Sequence, residues 1–474
     1  MKPRTLLILL AVVLALGAFI GFYERKLPSS EERATLGKKV LELDKEEVTA
    51  VAIDSPKVGK IRLERTGGAG PNAKEGETAP AVEWRIVQPL AARADSFAVD
   101  RLLDGLAALE KTRTLDDVDP KAVGLDKPRA VVRLTTRTGD KTGEKVLQLG
   151  AEVPPGGSLI AAVPGQKGVY VVGDAILAEV DKGAGEWRDR LVFRGDRERV
   201  RSITLSGAAG GPVVLARRAD GFWIERPFAD RADHDLVDGL LSDLTGLTAD
   251  RFLDGSRPPS ALGLQPPRAT VDVAFSGVTP PVRIDLGTAV MTGEAGAAAP
   301  EGQPSGEVGY ARVGDVTFEV RTRLGESALR APADWRALQL SAFEVHQVDS
   351  ATVRDGGTAL ELTRADTDWK RGNTLISYLP VSDLLFAVIG ARAERLLTPA
   401  EARGLGLAKP LLTFELRTKD AGNETLILYP PVQGGVPARA SGREVVLLLP
   451  ADALQQIQAK VKAVREAKVV KPEK

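Results

Sequence analysis

The sequence contains no cysteine and only two histidines, His234 and His346, among its 474 residues. The missing cysteine excludes disulfides, thiolate nucleophiles and sulfur-ligated metal sites. Two lone imidazoles exclude a histidine-rich metal cage. Lysine plus arginine equals aspartate plus glutamate at 64 each, so no basic surplus steers the chain onto nucleic acid. We therefore predict that nucleic acid is not a partner.

Catalytic and phosphate-binding patterns are also missing. No glycine-rich turn ends in Gly-Lys-Ser or Gly-Lys-Thr before a helix, as a phosphate-cradling loop requires. His234 follows Asp233 in the first turn of a predicted helix, which favours a solvated imidazole over a general base. His346 lies just before the third of the modules described below, and we interpret it as a strand residue without a chemical role.

The one tight acidic group comprises Asp116, Asp117 and Asp119. A hard cation is one candidate ligand for such a loop. The equivalent stretch of the second module, residues 254–257, does not preserve the three carboxylates, which favours a solvated connector. The sequence thus predicts no catalytic, cofactor-binding or metal-binding residue, no cofactor and no enzymatic activity.

The N-terminal segment from Thr5 to Tyr23 carries no charge. As a helix it would span about 28 Å, close to the thickness of a bilayer core. We predict an uncleaved transmembrane signal anchor over residues 5–23, after a cytoplasmic tail of residues 1–4. A cleaved signal peptide is the alternative, because Lys2 and Arg4 precede the apolar run and residues 16–18 resemble a processing site.

The orientation of this segment is less well determined by the sequence than its length. Basic residues are more numerous just after the segment than before it, which alone would keep the bulk of the chain inside. Long domains, however, translocate largely regardless of charge. We therefore predict a single-pass protein with most of its chain outside the cytoplasmic membrane.

Three copies of one module follow a polar stalk, residues 24–47. Apolar residues recur at the same positions of three predicted opening strands, which begin at Val48, Val200 and Val348. We assign residues 48–199 to module 1, residues 200–347 to module 2 and residues 348–464 to module 3. A basic tail, residues 465–474, ends the chain.

Each copy continues with a tryptophan-bearing strand and a helix. Trp84, Trp223 and Trp369 are predicted to fill the three module cores. The predicted helix N-caps are Asp95, Asp233 and Ser377. An arginine follows each cap after eighteen residues, and we interpret it as a cation near the helix C-terminus, with an anion site as the alternative. These arginines are Arg113, Arg251 and Arg395.

A turn of the pattern Gly-Leu-x-x-Pro comes next, beginning at Gly124, Gly263 and Gly406. Glycine allows a positive φ, and proline introduces an extended strand. The strands that follow alternate apolar and polar residues, which indicates a sheet with one solvated face. A strand ending in Leu-Gly follows in modules 1 and 2, and each of these closes with Trp-Arg, at Trp187 and Trp335. Module 3 lacks that closing pair and has a predicted helix over residues 451–464.

The predicted fold class is therefore α+β: one N-terminal transmembrane helix, then three repeated modules of mainly antiparallel sheet with packed helices. This motif set resembles the bacterial domain of unknown function 4340. The resemblance implies an anchor in the inner membrane and a setting similar to that of auxiliary proteins of gliding-motility-class ABC transporters. We expect a non-enzymatic extracytoplasmic accessory or scaffold whose partners are the bilayer and a membrane complex such as ABC transporter subunits. The alternative is an array that binds envelope polymer or lipid.

Overall fold

A computed structural model describes residues 38–67, 83–207, 209–277, 280–289, 307–419 and 422–469. The predicted cytoplasmic tail and transmembrane anchor, residues 24–37 of the stalk and residues 470–474 of the basic tail lie outside these ranges. Across the described ranges, no helix is both long and apolar enough to cross a membrane. The chain divides into two compact units, Met1–Arg190 and Leu191–Lys474, which are described separately.

The described residues of the first unit form one nine-stranded antiparallel sheet with two helices. The strand order is β4-β3-β2-β1-β6-β7-β8-β9-β5. The strands are β1 Val48–Ser55, β2 Gly59–Thr66, β3 Glu83–Gln88, β4 Ala92–Arg93, β5 Arg113–Leu115, β6 Ala130–Thr138, β7 Lys141–Glu152, β8 Ser158–Ala162 and β9 Val169–Gly173. The helices are α1 Ser96–Ala108 and α2 Leu177–Val180.

The described part of the second unit contains two more sheets, and module 2 forms the first. Its order, β13-β12-β11-β10-β15-β16-β17-β18-β14, repeats that of module 1. The strands are β10 Val200–Ser206, β11 Val213–Arg218, β12 Gly221–Arg226, β13 Asp230–Arg231, β14 Arg251–Phe252, β15 Ala269–Phe275, β16 Val282–Ala289, β17 Glu307–Val313 and β18 Val316–Thr322. The helices are α3 His234–Thr245 and α4 Leu324–Leu329.

Module 3 repeats the topology a third time, in the order β22-β21-β20-β19-β24-β25-β26-β27-β23. The strands are β19 Val348–Asp355, β20 Thr358–Ala365, β21 Asp368–Arg371, β22 Thr374–Ile376, β23 Arg395–Leu397, β24 Leu412–Thr418, β25 Asn423–Leu428, β26 Val436–Ala440 and β27 Val446–Leu449. The helices are α5 Tyr378–Ile389, α6 Pro399–Gly404 and α7 Ala453–Arg465. The three matching sheets confirm the predicted repeat of mainly antiparallel modules.

The first long helix of each module packs its apolar stripe against the sheet. In α1 the buried residues include Leu102, Leu103 and Leu106, which share one core cluster with the inward residues of β1 and β6. Helical periodicity places these leucines on one face, and the sheet offers the apolar surface that covers them. The side chains of Asp95 and Asp233 accept backbone hydrogen bonds at the N-termini of α1 and α3, as predicted.

Two details at the helix ends differ from the prediction. Ser377 makes no capping bond through its side chain; instead, Asp368 Oδ1 accepts the bond from the backbone N–H of Tyr378 at 3.1 Å. The recurring arginines begin short edge strands rather than ending helices: Arg113 starts β5, Arg251 starts β14 and Arg395 starts β23. The helices end before these arginines, so the helix dipole does not explain them.

The tryptophan correspondence is wrong for module 2. Phe222 pairs with Arg217 across β11 and β12, just as Trp84 pairs with Arg65 in module 1. The aromatic residue that fills the core of module 2 is therefore Phe222. Trp223 lies one residue further along β12 and points to the opposite face of the sheet, because successive strand residues alternate faces.

A short segment before each opening strand docks at the end of that module's first long helix. We call residues 38–47, 191–199 and 339–347 the lead-in segments. Equivalent backbone bonds hold them: Val40 N to Leu109 O at 2.9 Å, Val192 N to Leu247 O at 3.0 Å and Leu340 N to Ala391 O at 2.8 Å. Val40 and Leu41 belong to the module 1 core, so the last part of the predicted stalk packs as part of this module.

The Gly-Leu-x-x-Pro turns have the predicted backbone. Gly124, Gly263 and Gly406 have φ values of +71°, +67° and +58°, which non-glycine residues rarely adopt. The strands β6, β15 and β24 follow the turns, and their alternate residues are buried, as predicted. The turn therefore sets where the chain returns to the middle of the sheet.

Candidate functional site

The two histidines do not lie together in a catalytic arrangement. His234 is the first residue of α3, and its side chain is 74% exposed with Nε2 3.5 Å from Asp238 Oδ2. His346 lies in a 3-10 turn, not in a strand as predicted, and its Nδ1 is 3.1 Å from Glu344 Oε2. Each imidazole thus has one exposed carboxylate neighbour within the second unit.

The acidic group of module 1 is an exposed connector after β5. Asp116, Asp117 and Asp119 are all exposed, and Asp119 Oδ1 accepts a local bond from the N–H of Lys121 at 3.0 Å. Among the described residues, no cluster of three or more aspartate, glutamate or histidine side chains is arranged to hold a metal ion.

Among the described residues, the largest concentration of buried charge lies in the second unit, where module 2 meets module 3. Arg443, in the turn between β26 and β27, is fully buried and donates from Nε to Asp230 Oδ1 of β13 at 2.7 Å. The same guanidinium donates to the backbone oxygens of Ala337, at 2.8 Å, and Gln339, at 3.2 Å. Arg443 therefore binds module 2 and the connecting chain together.

A second ion pair crosses the junction, and here module 2 contributes the cation and module 3 the anion. Arg231, the neighbour of Asp230, donates from Nη1 to Glu424 Oε1 of β25 at 3.0 Å and from Nη2 to the Leu340 oxygen at 3.0 Å. Glu424 also accepts from the backbone N–H of Ala342, at 3.0 Å, and from the hydroxyl of Ser341. Each module thus contributes one cation and one anion to the junction.

Burial dominates the electrostatics of this four-charge junction, which comprises Asp230, Arg231, Glu424 and Arg443. Loss of hydration raises the pKa of Glu424, although Arg231 and the bonds from Ser341 and Ala342 oppose the rise. The same loss of hydration, with repulsion from Arg443, lowers the pKa of Arg231. An arginine stays protonated even so. The hydrogen bonds between two charges of each sign offset the cost of burying the group, and Arg336 lies beside it with Nε 3.4 Å from Asp230 Oδ2.

Trp223 completes the junction on its apolar side. Its indole Nε1 donates to Asp220 Oδ1 at 2.9 Å, and the Arg218 guanidinium lies 4.6 Å from the ring centre. A Cβ built at Gly442, beside Arg443, would lie 3.1 Å from the ring. Gly442 of module 3 therefore allows its turn to approach the tryptophan closely.

An open cleft of about 500 Å³ lies beside the four-charge junction. Its wall includes α3 residues such as His234 and Asp235, and lead-in residues of module 3 such as Phe343. The charges in the wall pair with one another: Arg197 contacts Asp238 at 2.6 Å. The Arg217 guanidinium lies 4.7 Å from the Phe222 ring and donates to two backbone oxygens. The cleft therefore has the chemistry of a paired, mixed-charge surface.

Sequence reasoning missed the four residues of the junction. A signal was present in the repeat, because module 1 has Ala92-Arg93 where module 2 has Asp230-Arg231, just ahead of equivalent helix caps. The partners Glu424 and Arg443 lie 193 and 213 residues further along the chain. Nothing local in the sequence links residues so far apart.

Residues 84–267 match the family model described as Domain of unknown function (DUF4340), which supports the resemblance seen in the motifs. The match covers less than half of the 474-residue chain. It begins at Trp84 in β3 of module 1 and ends at Pro267 in the turn before β15 of module 2, so it is out of phase with the sheets. No curated protein and no solved structure matches the chain.

Proposed function

We propose that this chain is a membrane-anchored, extracytoplasmic accessory or scaffold of a membrane protein complex, of the ABC-transporter kind that the family resemblance implies. The observation that carries the proposal is the mutual pairing of charges at the junction of modules 2 and 3. Charges that bind each other rigidify a junction, whereas a catalytic site leaves groups directed toward a substrate. A rigid array of modules presents surfaces to partners.

Binding of envelope polymer or lipid is the second candidate, and the open cleft is the feature that favours it. Polymer recognition uses open aromatic faces or unpaired polar groups. In the cleft wall, Phe222 is covered by Arg217, and Arg197 is engaged by Asp238. This pairing supports the scaffold over the polymer-binding array.

Site-specific photocrosslinking in intact cells tests the proposal. A photoreactive residue would replace His234 in the cleft or Leu379 on α5, both exposed, in the full-length chain. We expect adducts with subunits of a membrane transporter, identified by mass spectrometry. Adducts only with glycan or lipid would support the alternative. If a chain lacking module 3 still supported the full biological function in cells, that result would contradict a scaffold that depends on the joined modules.

The anchor is tested separately. The full-length chain should stay in the membrane fraction after a salt wash and be released by detergent, because burying about nineteen mostly apolar residues resists salt. A reporter fused to the C-terminus should be active outside the cytoplasm. A reporter that is active only inside would overturn the extracytoplasmic scaffold.

A further inference from the structure

The open cleft beside the four-charge junction has an apolar bottom and a charged rim. Val237, Leu241 and Phe343 line the cleft and are at most 5% exposed, so they form its bottom. Glu198 and Asp235 line it with exposed side chains and therefore lie at its rim. The volume of about 500 Å³ is within the range of ligand-binding sites.

The arginines of the cleft wall are already bound within the chain. Arg197 and Arg231 each have a carboxylate partner, at 2.6 Å and 3.0 Å. Arg217 donates to two backbone oxygens. Arg218 lies over the Trp223 ring and 4.0 Å from a glutamate. An anionic ligand would therefore have to compete with contacts that each guanidinium already makes.

Two carboxylates at the rim are not engaged in this way. Among the described residues, the Asp235 carboxylate has neither an ion-pair nor a hydrogen-bond partner. Glu198 is 79% exposed and lies 3.8 Å from Arg217 Nη1, while Nε and Nη2 of that arginine donate to the backbone. The cleft thus offers free negative charge, which is complementary to a cationic ligand.

The fold does not require a carboxylate at residue 235. Asp233 already caps α3 by accepting a bond from the N–H of Leu236. Asp235 lies two residues after this N-cap position, and the equivalent residues of modules 1 and 3 are Phe97 and Leu379, both exposed. The negative charge is therefore particular to the module that carries this wall of the cleft.

An extended segment with a lysine or arginine side chain matches both parts of the cleft. The aliphatic stem of such a side chain packs on apolar surface, while its charged end stays close to water and to carboxylates. Because the cleft is open, both ends of an extended segment are free to continue into the protein that carries it.

We propose that the cleft binds an extended basic segment of a partner protein, with a lysine or arginine stem on the apolar bottom and its cation at the rim formed by Asp235 and Glu198. This inference deepens the proposed function and rests on it for the identity of the partner. The binding chemistry itself can be measured on the purified chain.

Fluorescence anisotropy of labelled peptides, titrated with the full-length chain in nonionic detergent, tests the site. The probes are the acetylated peptide Ala-Lys-Ala-Lys-Ala and its counterpart with glutamate in place of lysine. We expect only the lysine peptide to bind, with an affinity that falls as salt is added, because exposed charges are screened. Displacement of this peptide by an equal or lower concentration of spermidine would indicate a site for free polyamine and overturn the proposal.

Substitutions at the rim locate the bound cation. Asp235→Lys places a like charge there and should raise the peptide dissociation constant at least about tenfold. Asp235→Asn should raise it about two- to fivefold, as expected for an exposed ion pair. Glu326→Lys is the matched control, since Glu326 is an exposed carboxylate in the first turn of α4, and it should leave binding unchanged. Thermal unfolding of each variant verifies that the fold is retained.

A peptide with diaminobutyric acid in place of lysine keeps the charge and shortens the stem. It should bind at least about threefold more weakly, because the shorter stem buries less apolar surface. Equal binding of the two peptides, no binding of either, or equal effects of Asp235→Lys and Glu326→Lys would each overturn the proposal. Transporter adducts from residue 234 without peptide binding would contradict this site and support the scaffold. Peptide binding without such adducts would support the site and contradict the transporter partner.

Discussion

Gly263 shows how one residue fixes a turn of the repeat. Its φ is +67°, and a Cβ there would lie 2.2 Å from Thr288 Oγ1 and 2.8 Å from the Thr288 nitrogen. Gly263→Ala should therefore destabilise the second unit by more than about 1 kcal/mol, through both backbone strain and contact. Thermal unfolding measures this change.

Gly239 in α3 provides the control for that substitution. A Cβ at Gly239 meets no atom within 4 Å, so Gly239→Ala should leave stability unchanged or raise it by up to about 1 kcal/mol, as alanine favours a helix. Equal unfolding midpoints for the Gly263 variant and the wild type would show that the turn tolerates a side chain.

Asp230 balances a cation that water cannot reach. Arg443 has no exposed side-chain surface, so Asp230→Ala leaves its charge without its anion and should destabilise the second unit by about 3–5 kcal/mol. Chemical denaturation measures the loss. Glu415→Ala breaks the exposed pair with Arg354 and should cost at most about 1 kcal/mol. Similar losses in both variants would contradict a dominant role for the buried pair.

Glu424 makes the stability of the second unit depend on pH. Burial raises its pKa above the value of about 4.3 expected in the unfolded chain. The folded chain then keeps the proton on Glu424 to higher pH than the unfolded chain does. The stability that this proton contributes is fully present below the unfolded pKa and is lost as pH rises through the folded pKa.

The variant Glu424→Gln has no titratable group at this position. Comparison with it separates the titration of Glu424 from that of the other carboxyl groups. The stability of the wild type relative to Glu424→Gln should fall as the pH rises above the unfolded pKa of about 4.3. Arg231, the Ser341 hydroxyl and the Ala342 N–H contact the Glu424 carboxylate. A stability difference that stays constant or grows with pH would show that the pairing with Arg231 outweighs burial.

At the scale of the residue, the sequence predicts where a strand lies better than it predicts which face of the sheet each side chain occupies. In Gly221-Phe-Trp-Ile-Glu225 three consecutive apolar residues leave the strand phase ambiguous, and matching by residue type selected Trp223. Matching the alternation of Phe222 and Ile224 to that of Trp84 and Ile86 would have found the correct register. The side chain that points away from the core, Trp223, is the one covered by module 3.

At the scale of the element, long periodic segments were predicted correctly and short ones were missed. The leucine stripes and aspartate caps of α1 and α3 carry their signal within a few residues. The edge strands β4, β13 and β22 have two or three residues each, too few to show any alternation. Their pairing depends on the neighbouring strand, which local sequence does not reveal.

The lead-in segments show that polarity alone can assign a packed element wrongly, because residues 38–47 were predicted to belong to a polar stalk. Leu41 belongs to the core of module 1 and is only 3% exposed. Leu41→Ala should destabilise the first unit by about 2–5 kcal/mol, as expected for a buried leucine that leaves a cavity. Glu42→Ala, at the exposed neighbouring position, should change stability by less than about 0.5 kcal/mol. Equal effects of the two changes on urea unfolding would place the segment outside the cooperative unit.

At the scale of the whole molecule, the repeat was predictable and the junction was not. Repetition of similar motifs in three copies is a strong signal for three matching sheets. The four-charge junction depends on differences between copies, since Glu424 of module 3 has no counterpart in module 2, where the equivalent strand position is Val282. The pairing of these residues can be seen only once modules 2 and 3 are packed together in the structure.

The four-charge junction also has a consequence for the order of synthesis. Asp230 emerges from the ribosome 213 residues before Arg443, a delay of roughly ten to forty seconds at bacterial or eukaryotic rates of elongation. During that interval module 2 has its core, with Arg336 beside Asp230, but lacks Glu424 and Arg443. A chain that ends at residue 347 represents this stage.

In that shortened chain Asp230→Ala should have a smaller effect. Asp230 keeps Arg336 of module 2, 3.4 Å away, but lacks Arg443, so its removal should reduce resistance to limited proteolysis less than in the full chain. A loss of resistance as large as in the full chain would contradict this view. Newborn module 2 thus carries two buried charges whose pairing is completed only when module 3 is made.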